Sequence, residues 1–124
     1  MAVENVVLAY SFSVSGNGLS LATDQFKFVQ ITTSKRVLPG TAGCRVLGVA
    51  QGTARPGKAV GVAFSGSVSK VRVGAVSLKA GVFIGSDATG LAAPARGGCP
   101  VGGQVLEDGV SGEIVSALLL NGSL

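Results

Sequence analysis

The chain has 124 residues, which fits a single domain large enough to bury a core. Aromatics are only 5%, with one Tyr and no Trp, so platforms for stacking nucleic-acid bases are scarce. The longest charge-free segment, 5–23, is broken by Asn5, Ser11, Ser13, Ser15, Gly16, Asn17, Gly18 and Ser20, so no membrane-spanning helix is expected where about 20 mostly apolar residues are required.

Charged residues make up 13%, about half the usual share, while small apolar residues abound. That balance points to a surface partly covered by another protein. The net charge of +4 comes from Lys27, Lys35, Arg36, Arg45, Arg55, Lys58, Lys70, Arg72, Lys79 and Arg96, spread along the sequence without a cluster. Docking onto an acidic protein surface suits such a balance at least as well as nucleic acid, and no specific nucleic-acid partner is expected. Glu4 stands where a secretory signal would carry basic residues, so folding in a reducing compartment is expected, with Cys44 and Cys99 as thiols.

Twenty glycines and four prolines, with abundant Val, Ser and Thr, predict an all-β domain of about eight to ten short strands. Leu8, Tyr10, Phe12 and Val14 share one parity and predict a first strand, closed by the turn Ser15-Gly16-Asn17-Gly18. The residues before it, Ala2, Val3, Glu4, Asn5, Val6, Val7 and Leu8, have no turn partner nearby. They read either as an ordinary frayed terminus or as an arm that adds to a neighbour's sheet. Segment 19–25 is ambiguous, and Thr23-Asp24 suits the cap of one helical turn. Alternation over 26–31 predicts a second strand, followed by a polar loop at 32–36 and a turn at 38–43, with Pro39-Gly40 suited to the centre of a β-turn.

Residues 45–51 predict the next strand and 52–57 a loop. The stretch 46–91 is the organising centre of the chain. Within it Val60, Val62, Phe64, Gly66 and Val68 keep one phase, which slips near Ser69. This predicts one long strand bent at Gly66 with a bulge after Val68; a hairpin closed at Ser65-Gly66-Ser67 is the alternative. Val82-Phe83-Ile84, the turn Ser86-Asp87-Ala88-Thr89-Gly90 and Leu91-Ala92-Ala93 form a predicted hairpin. Residues 94–98 predict a loop, 101–106 a strand, 107–112 a turn and 113–120 a final strand, apolar on both faces and therefore central, with a tail at 121–124.

Catalytic equipment is sparse. The chain has no histidine, which removes every Ser-His and Cys-His arrangement and every histidine metal site. Among six acidic residues only Glu107 and Asp108 are adjacent, and in a turn both are expected to face water rather than act as a glycosidase pair. Gly52-Thr53-Ala54-Arg55-Pro56-Gly57-Lys58-Ala59 approaches a phosphate-binding loop, but Ala59 replaces the metal-binding hydroxyl and Pro56 removes a backbone N–H. A valine strand follows where the motif needs a helix N-terminus, so a connecting turn is the better reading. Asn121-Gly122-Ser123 fits a glycosylation sequon, which only a secreted protein would use. No catalytic residue, metal site, cofactor or membrane partner is expected, and an enzyme is disfavoured. A carbohydrate-binding barrel is disfavoured by the shortage of aromatics.

The order of segments is distinctive: Leu47-Gly48-Val49-Ala50, then Gly57-Lys58-Ala59-Val60-Gly61-Val62-Ala63-Phe64-Ser65-Gly66 and Lys70-Val71. Leu78-Lys79-Ala80-Gly81-Val82-Phe83-Ile84-Gly85-Ser86-Asp87-Ala88-Thr89-Gly90 follows, and Gly103-Gln104-Val105-Leu106-Glu107-Asp108 and Gly112-Glu113-Ile114-Val115-Ser116-Ala117-Leu118-Leu119 close it. Over 46–120 this resembles the capsid decoration, or cement, proteins of tailed bacteriophages, although Val105 stands where that family often has Ala and the first 45 residues do not align. The resemblance implies a small β-barrel or sandwich, 1–124, on the outer surface of a phage capsid, folded in the cytoplasm of a host bacterium. It implies a homotrimer that bridges subunits of the major capsid protein and stabilises the shell, with residues 2–8 as contacts to the capsid or a neighbouring copy. Another virion β-module, a head-fibre base or tail component, is the alternative.

Overall fold

The computed structural model describes residues 9–14, 25–32, 35–54, 58–95 and 100–123. Among these it is all-β, with ten strands and no helix. The strands are β1 Ala9–Val14, β2 Phe28–Ile31, β3 Arg36–Pro39, β4 Gly48–Ala50 and β5 Ala59–Ala63, then β6 Val68–Arg72, β7 Phe83–Ser86, β8 Ala92–Pro94, β9 Pro100–Val105 and β10 Ile114–Ser123. The first five close into a barrel in the order β1-β3-β2-β4-β5, and the second five form a sheet in the order β6-β10-β9-β7-β8. Only the β1–β3 pair is parallel within these sheets.

Period-2 geometry explains how so short a barrel is stabilised. Val29, Ala50 and Val62 belong to one buried cluster with Val37 and Val60, which fills the barrel. Their chain neighbours Phe28, Val49 and Ala63 point the other way, into a second cluster with Val71, Val73, Leu78, Ile84, Val105, Val115 and Leu119 of the sheet half. The barrel wall is thus greasy on both sides where it meets the sheet. Burial of Phe28 alone, 1% exposed, contributes about 3 kcal/mol.

Several predicted elements shift. The strand expected at 26–31 begins at Phe28, because Phe26 takes a left-handed backbone (φ 63). The expected turn at Pro39-Gly40 is instead the end of β3. Pro39 lies beyond the stretch where β3 pairs with β1, so its missing N–H interrupts no ladder there. The turn falls at 41–44, closed by Cys44 N–H to Thr41 O at 3.1 Å, with Gly43 (φ 71) in the position that favours glycine. Strand β4 is shorter than the predicted 45–51. Turn 15–18 and all of the ambiguous segment 19–25 except Gln25 lie outside the described residues.

The long bent strand is two strands. Ser67 N–H closes a turn onto Phe64 O, Gly66 takes φ 96, and the chain crosses from barrel to sheet. Burial passes from even positions (Val60, Val62) to odd ones (Ser69, Val71, Val73), so the phase slip marks the crossing. β5 and β6 do not pair, which also removes the hairpin alternative. The bulge lies in β10, between Leu119 and Gly122, and not after Val68. The β7–β8 hairpin forms as expected, and β10 is central between β6 and β9, running on to Ser123 where a tail was predicted. Strand β5 follows the phosphate-loop-like segment directly, as the turn reading requires, though residues 55–57 lie outside the described set.

Gly48 is the tightest point of the barrel seam: a Cβ there would stand 2.1 Å from Ala63 O and 2.8 Å from Val62 Cγ1. At Gly61 a Cβ would meet nothing within 4 Å. Gly48→Ala is therefore expected to cost about 2–3 kcal/mol, a fall of roughly 10 °C in Tm. Gly61→Ala, measured in the same thermal melts, should leave Tm unchanged or slightly raised.

Candidate functional site

An open groove of about 650 Å³ lies between Ala42-Gly43, Val76-Ser77, Gly85 to Ala88 and Ala93 to Ala95. Asp87 is the one carboxylate in its lining among the described residues, and its geometry is that of a turn residue. Asp87 Oδ1 accepts from Thr89 N–H at 2.8 Å, Leu91 N–H at 2.9 Å and Thr89 Oγ1 at 3.1 Å. With that oxygen holding the β7–β8 turn and no second carboxylate in the lining, the groove has no acid–base pair.

The expected Glu107-Asp108 turn is at the foot of the sheet. Asp108 faces water as predicted, accepting from Ala80 N–H at 2.8 Å with Lys79 Nζ at 3.7 Å. The Ala80 N–H and, next, the Lys79 ammonium hold its carboxyl below the usual carboxylate range. The contact is therefore complete at neutral pH and is lost as pH falls through that lowered value; full exposure makes it a weak one. Glu107 is half-buried and engaged, so the expectation that both acids face water holds only for Asp108. Among the described residues no group of three His, Cys, Asp or Glu could hold a metal ion. Cys44 is half-buried against the core, and Cys99 lies outside the described residues.

The outward face of the second sheet is a better candidate for function. Val68 stands opposite Leu118, Leu118 opposite Gln104, and Gln104 opposite Phe83, giving one row across β6, β10, β9 and β7. Ala117 and Leu119, flanking Leu118, are buried in the core, so this row points away from the barrel. Leu106, two residues beyond Gln104, is 48% exposed and Phe83 40%. Lys70 and Arg72 run along the β6 margin of the same face; Lys70 Nζ lies 5.8 Å from the Phe26 ring centroid and Arg72 Nε donates to Gln25 O. Such a face serves contact rather than chemistry. Residues Ala2 to Leu8, the predicted contact segment, lie outside the described residues. The row was not found by the sequence reading, although alternation in 113–120 with Phe83 and Leu106 carried its signal.

No protein-family model matches the chain, and no curated protein matches it. Among solved structures it is similar to the N base of the head fibre gp8.5 in bacteriophage phi29. The TM-score is 0.70, over 94% of this chain and 98% of that one, at 15% identity, and at that identity the likeness is one of fold.

If Asp87 is structural, Asp87→Ala should lose about 1–2 kcal/mol in urea unfolding. Asp87→Asn, whose amide oxygen accepts the same bonds, should retain most of the stability.

Proposed function

We propose that this chain is a structural protein of a tailed-phage virion, a base module of a head fibre seated on the outer surface of the head. The observation that carries the reading is the fold match to a head-fibre N base over nearly the whole length of both chains. The order of motifs over 46–120, resembling decoration proteins, points to the same setting. Bridging of major capsid subunits, the cement reading, is the second possibility and rests on that motif order alone. Neither role requires catalysis, and the reading assigns none.

Physically the module works by repetition. Copies joined through the row Val68, Leu118, Phe83 and Leu106, as a homotrimer, would present several identical contacts to a repeating shell at once. Weak individual contacts then sum through effective concentration. Residues 2–8 would add backbone hydrogen bonds to the shell or a neighbouring copy, which small side chains permit.

Mass spectrometry of gradient-purified particles encoded by the same genome should find the chain at stoichiometric levels; its absence from particles would overturn the reading. Deleting residues 2–8 should abolish attachment to DNA-free heads with little change in Tm. Unfolding on deletion would make the segment part of the core. In light scattering after size exclusion, Phe83→Ser/Leu106→Ser should shift a trimer to monomers, with Tm lowered by only a few degrees.

A further inference from the structure

The fold divides the charge unevenly. Residues 1–67, which include the barrel, hold six of the basic and two of the acidic residues, a net +4. Residues 68–124, which include the second sheet, hold four of each, a net zero. All the excess charge therefore belongs to the barrel half, and the half bearing the apolar row is neutral.

Within the barrel the excess is focused. Arg36 of β3 and Ala59 of β5 both stand opposite Ser13 of β1, so three adjacent strands bring them into one row. Strand spacing puts Arg36 and Ala59 about 10 Å apart. Lys35 adjoins one end of the row and Lys58 the other, and Lys35, Arg36, Lys58, Ser13 and Ala59 are all exposed. No ion pair among the described residues involves these three cations, and no described residue of the barrel half is acidic. At separations near the Debye length of about 8–10 Å the three charges act together on an approaching surface. Ile31, 45% exposed, is paired with the buried Val37 and so belongs to the barrel's inner face at its mouth, not to this wall.

We infer that the β5-β1-β3 wall of the barrel, with Lys35, Arg36 and Lys58, is a docking surface for an acidic protein face. Charge complementarity selects an acidic partner and excludes a second copy of the same wall, which would repel it. The chain's one Tyr and lack of Trp leave little to stack on bases, which favours protein over nucleic acid as the acidic partner. In the virion reading that partner is the shell, and only this identification rests on that reading. The two halves then have different tasks: the barrel wall meets the acidic partner, and the apolar row of the sheet meets other copies.

The test is retention on immobilised poly-L-glutamate, with a 20-base-pair DNA duplex run in parallel, across a salt gradient. Lys35→Glu/Arg36→Glu/Lys58→Glu is compared with Arg45→Glu/Lys70→Glu/Lys79→Glu, which changes the net charge equally elsewhere. The wall variant should release from poly-glutamate at less than half the salt that releases the charge-matched variant. The milder Lys35→Gln/Arg36→Gln/Lys58→Gln guards against loss of fold and should fall in between. Equal release of the two reversal variants would overturn the surface. Tighter, salt-resistant retention of the wild type on the duplex, lost in the wall variant, would overturn the protein partner. Absence of the chain from purified particles would overturn the virion reading and leave this result intact.

Discussion

The barrel and the sheet become one body through a short seam at residues 25–28. Phe26, held left-handed at φ 63, turns the chain so that its N–H donates to Ala50 O of the barrel while its O accepts from Arg72 N–H of the sheet. A non-glycine residue in that region is uncommon and costs on the order of 1 kcal/mol, so the surroundings must over-determine it. They do. Ala50 N–H donates to Lys27 O, and Phe28 N–H donates to Gly90 O. Gln25 Nε2 donates to Gln51 O, and Gln51 Nε2 donates to Ser69 Oγ, so side chains repeat the backbone's crossing. Phe28 then drops its ring between the two layers, against Gly102, where a Cβ would come within 2.8 Å of the ring.

From this seam follows which surface each half leaves free. Because the barrel wall facing the sheet is buried, its free surface is on the side of β5, β1 and β3, where the three exposed cations stand. Because the sheet buries its other face on the barrel, its free surface is the row Val68, Leu118, Gln104 and Phe83. The two free surfaces lie on different elements of the fold.

Much of the fold was legible in the sequence. Alternation marked β1 and β2, the polar Asp-Ala-Thr-Gly turn marked the β7–β8 hairpin, and the doubly apolar β10 read as central. Strand β3 was hidden because Pro39-Gly40 reads as a turn until the short reach of β1 is known. The crossing at Gly66 was hidden because valine alternation continues on both sides of it, and only the change of buried parity reveals two sheets. The basic wall was least legible of all. Lys35-Arg36 and Lys58 are remote in sequence and meet only because β1 lies between β3 and β5 in a closed barrel. Read in sequence the cations seem evenly spread; in the fold three of them share one wall.

The central claim is that the two halves face different partners, and amine cross-linking of intact particles tests it most directly. The account predicts cross-links from Lys35 and Lys58 to the shell protein, and from Lys79 on the sheet half to a second copy of this chain. Cross-links from Lys79 to the shell, with Lys35 and Lys58 modified only as free solvent-facing amines, would contradict it.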